Sequence, residues 1–313
     1  MYLTYESRVV GITVILGIIM VLWQALIGAL AYHFQQLFFI SAICISGIPH
    51  GALDHLIEQE FERREGNLFN GNVFLIKYLT FIVVYAVAWY VFPQFSLLAF
   101  LIMSGWHFGE TDFQNIKNWP LATVLVRLIY GMSVLTWILF AHPTEAGNNI
   151  IHLIPANSLL LTGWFAGVAH ITILLWGAGI LILGTLTANQ LNKKTTGNLL
   201  LTLQLAVILI GCYLLPLLPA FALYFAGWHS VVTLLNIERF LNAKQAANKS
   251  SSVLKLWIKV LPNTLITIAA LLLIGFLLNL YKPLFNPLPL LFVFLSLITL
   301  PHMQVMHRLN WQP

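Results

Sequence analysis

Apolar residues in this chain follow one another without the alternation that a half-buried strand requires. From Val9 to Leu30 almost every position is apolar, a run of about twenty residues, which is the length of a helix crossing a bilayer. A lipid-facing barrel strand alternates apolar and polar residues over roughly ten positions. The pattern therefore predicts helices. Similar runs, separated by Pro, Gly, Asn or charge clusters, fall near residues 8–31, 34–57, 73–92, 94–110, 121–141, 158–187, 198–215, 217–238, 257–280 and 288–308. The reading is an all-α, polytopic integral membrane bundle of about ten transmembrane helices, forming a single domain over 1–313. Segment 94–110 is short, and 158–187 is long enough to tilt or break. The first run reads as a retained helix rather than a signal peptide, because no small-residue cleavage site precedes Tyr32.

Composition removes the alternative of a water-soluble core. Hydrophobic residues make up 59% of the 313 positions and charged ones 8%, against about 25% charged in a soluble domain; mean hydropathy is +0.87. No polar skin is available, so lipid is the outer solvent. The net charge of +5 is spread over loops, which argues for topology and against nucleic acid. Arg63, Arg64, Lys193, Lys194 and the basic stretch Arg239, Lys244, Lys249, Lys255 and Lys259 fall on one side of a ten-span bundle. The 142–157 loop, without Lys or Arg, falls on the other, and Lys282 is the single outside exception. Both termini are then cytoplasmic, in a multi-pass protein of the cell (inner) membrane. Cys44 and Cys212 lie inside apolar stretches and read as small buried residues.

Ten histidines are present, and six of them stand in four spans that run toward the cytoplasm: His50 and His55, His107, His229, and His302 and His307. Each lies in the cytoplasmic half or last turns of its segment, so four helices can bring imidazoles to one level. Polar groups inside a membrane are costly and mark sites by default. The set reads as a metal site, since imidazole suits Fe, Zn and Cu. His33, His142 and His152 sit at the opposite boundary, and His170 reads as a lone interhelical hydrogen-bonder. Asp54 is one turn after His50, within reach of a ring N–H. His55 lies about 140° round the helix from His50, so both serve one ion only if Pro49 and Gly51 distort the turn. Glu110 is within orienting reach of His107, or else is a helix-end charge facing water.

The tripeptide Gly-Trp-His occurs twice, at 105–107 and 227–229. Glycine there allows close helix approach, and Trp106, Phe108, Tyr224 and Trp228 can line a slot for an apolar substrate with rings or conjugation. The chain lacks the HxxxH and HxxHH boxes of membrane di-iron enzymes, the HExxH of zincins and the deep late-helix lysine of opsins. A single metal held by histidines from different helices remains.

Pro49-His50-Gly51-Ala52-Leu53-Asp54, His107-Phe108-Gly109 with Asp112-Phe113, His229-Ser230 and Pro301-His302-Met303 together resemble the Brp/Blh family of bacterial and archaeal β-carotene 15,15′-dioxygenases, across nearly the whole chain. The resemblance implies an Fe(2+)-dependent membrane enzyme that splits the central double bond of β-carotene with O2 into two all-trans-retinal. It places iron ligands on His50, His107 and His229; the fourth is expected to be His302, whose Pro-His-Met setting resembles the family, with His55 and His307 as alternates, while Asp54 and Glu110 support the site by their helical spacing. Family members often carry a histidine four residues after the His-Ser pair, where this chain has Thr233. Substrate would enter sideways from membrane lipid, and retinal would pass to a retinal-binding opsin. Two other readings fit the same polar groups: a carotenoid-modifying enzyme that does not cleave, and a carotenoid- or retinoid-binding transporter.

Overall fold

A computed structural model of the protein describes residues 5–113, 120–191, 199–242, 253–281 and 287–310. In chain order the helices are α1 (Tyr5–Leu26), α2 (Tyr32–Ala42), α3 (Ile48–Gly51), α4 (Asp54–Glu65), α5 (Gly71–Val91), α6 (Pro93–Asp112), α7 (Pro120–Ala141) and α8 (Pro143–Leu153). There follow α9 (Leu159–Ala169), α10 (Ile171–Leu191), α11 (Leu199–Leu214), α12 (Leu217–Ala222), α13 (Val231–Asn242), α14 (Val253–Tyr281) and α15 (Pro287–Asn310). Two π-helical stretches, Ile43–Gly47 and Leu223–Ser230, join α2 to α3 and α12 to α13. All regular structure among the described residues is helical, and the chain is a polytopic helical membrane protein. Among the described residues, eight helical stretches are long and apolar enough to cross a bilayer. They match eight of the ten expected spans; α6 and the 16-residue α11 cover the other two.

Long helices here keep apolar side chains on their outer faces. On α1, Ile12, Ile15, Ile19 and Trp23 are exposed, as are Ile173, Trp176 and Ile180 on α10 and Ile266, Leu272 and Phe276 on α14. Such faces are stable in hydrocarbon and not in water. Segment 158–187, long enough to tilt or break, breaks at His170, between α9 and α10, where His170 is exposed rather than bonded across to a neighbouring helix. The 142–157 segment, expected as a loop, contains α8: Pro143 suits the first helical position, and Glu145 sits in the first turn, where the helix dipole favours an acid. Glu145 also accepts a hydrogen bond from the backbone N–H of Leu217 at 2.9 Å. Lys193, Lys194, Lys244, Lys249 and Lys282, on which much of the expected orientation rests, lie outside the described residues.

The chain packs as two compact units, each assembled from three separated stretches. The first comprises Met1–Gly47, Ser104–Gly147 and Gly163–Thr233. In it α1 packs on α11, α10 on α7, α2 on α12, and the two π-helical stretches on one another. The tightest approach joins α6 to α7. Gly105 and Gly109 are spaced four apart, and a methyl on Gly109 would run into the carbonyl of Arg127; one on Gly131 would run into the carbonyl of Gly105. Small residues at this spacing let two backbones touch, which is how helices adhere in lipid.

The second unit comprises Ile48–Met103, Asn148–Thr162 and Leu234–Pro313. Leu53, Ile57 and Phe61 join Ile237, Val260 and Met306 in one apolar cluster, and Tyr85, Trp89, Leu97 and Leu161 belong to another. The indole of Trp89 donates to the Ser296 hydroxyl at 2.7 Å, tying α5 to α15. Arg308 lies over the Phe61 ring at 4.5 Å and pairs with Glu58 at 3.0 Å and Glu65 at 2.5 Å.

Alanine at Gly109 or Gly131 is expected to lower stability by at least the 1–3 kcal/mol usual for overpacking, because a backbone carbonyl cannot step aside. Gly275→Ala, with open space around its Cα, is expected to stay within about 0.5 kcal/mol of wild type. Thermal unfolding of the detergent-solubilised variants reads both; equal melting of all three would show that the crossing is not close packed.

Candidate functional site

The first unit brings together the histidines of the two Gly-Trp-His tripeptides. His107 and His229 are buried, and their rings meet edge to face with centroids 4.7 Å apart. His107 comes from the last turns of α6, which the glycine crossing fixes against α7. His229 comes from the π-helical stretch Leu223–Ser230. A π turn widens the helix and loosens the regular pairing of backbone carbonyls, and three hydroxyls serve those carbonyls here. Ser230 donates to the carbonyl of Phe225 at 2.8 Å, Ser46 to Ala226 at 2.7 Å and Thr13 to Gly227 at 2.9 Å. Phe108 packs on His229 with centroids 4.8 Å apart, and Phe225 stacks on it at 5.9 Å. Thr233 is fully buried and donates its hydroxyl to the carbonyl of His229 at 2.7 Å, a local helical bond.

Asp112, at the end of α6, accepts three hydrogen bonds: from Tyr130 at 2.7 Å, from Tyr224 at 3.2 Å and from the Trp228 indole at 2.8 Å. The polar ends of Tyr224 and Trp228, both expected along a substrate slot, are thereby committed to the carboxylate. Phe108 packs edge to face on Tyr224 at 5.1 Å, and Trp106 is half-buried. Glu110 is fully buried, so the reading of a water-facing helix-end charge does not hold; its carboxylate is 3.9 Å from the Arg127 guanidinium. Arg127 also donates to the carbonyl of Phe113 at 3.0 Å and 3.2 Å.

Sequence reasoning passed over Arg127, Tyr130 and the anchoring role of Asp112. The signal was present for one of them. Arg127 is the lone charge inside the apolar run 121–141, and an ionisable residue there is a site by default.

In the second unit His50 and His302 are buried with ring centroids 4.8 Å apart, also edge to face. The Asp54 carboxylate, expected to orient His50, instead accepts a hydrogen bond from Nδ1 of His302 at 2.8 Å. Its other oxygen accepts the Tyr78 hydroxyl at 3.0 Å. The reason lies in the backbone: α3 ends at Gly51 and α4 starts at Asp54, so one continuous helical turn does not carry both residues. The break falls at Ala52 and Leu53, after both Pro49 and Gly51. It leaves His55 half-buried, with Nδ1 on the carbonyl of Ala52 at 3.0 Å and Asn263 at 3.4 Å. His307 lies on an exposed face of α15, away from the buried His302. At the other boundary, His142 meets the carbonyl of Cys212 at 2.8 Å.

A family model described as Beta-carotene 15,15'-dioxygenase matches residues 41–310. A protein of that name from Uncultured marine bacterium 66A03 is 26% identical over 194 residues, 61% of this chain. The aligned part spans 65% of that relative's length, just under two thirds. No solved structure matches the chain. The matched stretch includes both histidine pairs, both π-helical turns and the Asp54 and Asp112 carboxylates, and by it the chain belongs to the β-carotene 15,15'-dioxygenase family.

Proposed function

We propose that this protein is an iron-dependent dioxygenase of the cell (inner) membrane that cleaves the central 15,15′ double bond of β-carotene with O2, giving two molecules of all-trans-retinal. The observation that carries the reading is the family match across 41–310, which contains His50, His107, His229 and His302. These four are the proposed iron ligands.

The donor chemistry fits such an ion. Two imidazoles on one metal, with bonds of about 2.0–2.1 Å, hold their ring centres roughly 4.5–5 Å apart. The pair in each unit meets that spacing, at 4.7 Å and 4.8 Å. His302 has a further qualification. With Nδ1–H donating a hydrogen bond to Asp54, the ring keeps its lone pair on Nε2, the arrangement of a metal-bound histidine backed by a carboxylate. Thr233 spends its hydroxyl on a backbone carbonyl, which favours His302 as the fourth ligand. Iron bound by these residues would supply the activation of oxygen.

The remaining work falls to apolar surface. β-Carotene is a hydrocarbon that already resides in the bilayer, so it needs no charged clamp and can enter between helices. Trp106, Phe108, Tyr224 and Trp228 form the wall for the polyene, and Asp112 holds the last two in place. A reaction centre away from water limits side reactions. Retinal leaves into the same membrane, toward a retinal-binding opsin.

Expression in β-carotene-producing cells is expected to bleach their orange colour and yield retinal. His50→Ala, His107→Ala and His229→Ala should each lower retinal by more than about 100-fold, beyond the 10–100-fold typical of losing a supporting partner, with the protein still inserted. Persistent orange colour around well-inserted, iron-loaded wild type would overturn the cleavage reading, and an oxidised but uncleaved carotenoid would identify a modifying enzyme instead.

The fourth ligand is read separately. His302→Ala is expected to abolish retinal formation, and Thr233→His in that background to restore part of it. Full activity of the single His302→Ala variant would remove His302 from the ligand set. Treatment with an iron chelator should stop turnover, and ferrous iron, not zinc, should restore it; an apo protein with full activity would end the metal reading.

A further inference from the structure

Asp54 is only 2% exposed, and a buried carboxylate is stable only when both oxygens find donors. Here the donors come from two other helices. Oδ1 accepts from Nδ1 of His302 on α15 at 2.8 Å, and Oδ2 from the Tyr78 hydroxyl on α5 at 3.0 Å. Phe74 packs against the Tyr78 ring at 5.6 Å and fixes its approach. Tyr78 also lines a groove of about 430 Å³, walled by Phe74, Phe81, Lys77, Pro301 and Arg308, which Asp54 does not line. The phenol therefore closes the carboxylate off from the groove. With one oxygen held by Tyr78, the other is directed at His302, and that contact orients the imidazole and favours its proton on Nδ1.

We propose that Tyr78 is a positioning residue for the metal centre: it fixes Asp54, and Asp54 presents Nε2 of His302 as a ligand nitrogen. The proposal rests on the reading of His302 as a ligand. Nothing in the sequence pattern marks Tyr78, one of ten tyrosines, in an apolar span; only the packing of three helices selects it.

The test is cobalt binding by the full-length, detergent-solubilised, metal-stripped protein, followed through the visible ligand-field absorption of Co(II). Tyr78→Phe keeps the ring and removes only the hydroxyl. It is expected to weaken cobalt binding about 10–100-fold and to shift the absorption bands, with helix content unchanged. Asp54→Asn should do at least as much, and the double variant should bind no more weakly than Asp54→Asn alone, because Tyr78 acts through Asp54. Wild-type affinity and spectrum in Tyr78→Phe, or a loss that adds in full to that of Asp54→Asn, would overturn the relay while leaving the metal site intact. A wild-type protein that takes up neither cobalt nor iron would instead overturn the metal reading beneath it. Should Tyr78→Phe fail to insert, wild-type protein labelled with ¹⁵N-histidine decides. A metal-free His302 ring protonated on Nδ1, assigned by the signal lost in His302→Gln, supports the relay, and a proton on Nε2 overturns it.

Discussion

In hydrocarbon no water stands ready to complete a hydrogen bond, so each polar atom of this chain must find its partner within the protein or remain costly. That constraint makes the chain helical. It also explains why the few polar side chains in the spans occur in sets rather than singly. Asp112 is met by two phenols and an indole, Asp54 by a phenol and an imidazole, and Glu110 stands beside Arg127. Each set comes from more than one helix, so satisfying the polar atoms also ties the helices together.

Apolar burial does little to hold such helices to one another, because lipid tails are as apolar as leucine. Close backbone contact and hydrogen bonds carry the association instead. The glycines of α6 and α7 provide the contact, and the π-helical stretch at Leu223–Ser230 provides the bonds. Its widened turn presents the carbonyls of Phe225, Ala226 and Gly227 to hydroxyls from three parts of the first unit. A regular α-helix would use those carbonyls internally and leave Thr13 and Ser46 without them. The irregular turn that carries His229 is therefore also a tether.

The two histidine pairs are supported differently. His229 is packed between the rings of Phe108, Phe225 and His107, with the supporting helices fixed by glycine contact and by Asp112. His302 is held by polar contact with Asp54, itself bonded to Tyr78, and meets the His50 ring edge to face. In the proposed chemistry all four histidines are iron ligands.

Much of this was legible in the order of residues. Apolar runs about twenty residues long can be stable only as membrane helices, so the fold class and most of the spans follow from the sequence. The candidate histidines were legible for the same reason, since a polar residue in an apolar run is conspicuous. What the sequence could not decide was pairing. Helical spacing placed Asp54 beside His50, yet the break after Gly51 turns the carboxylate to His302, 248 residues later in the chain. Tyr78, Tyr130 and Tyr224 look alike as letters, and only the crossing of helices gives each hydroxyl its carboxylate. Periodicity reports which face of one helix a residue occupies; which neighbour that face meets is set by packing between distant segments, and that is a property of the tertiary structure alone.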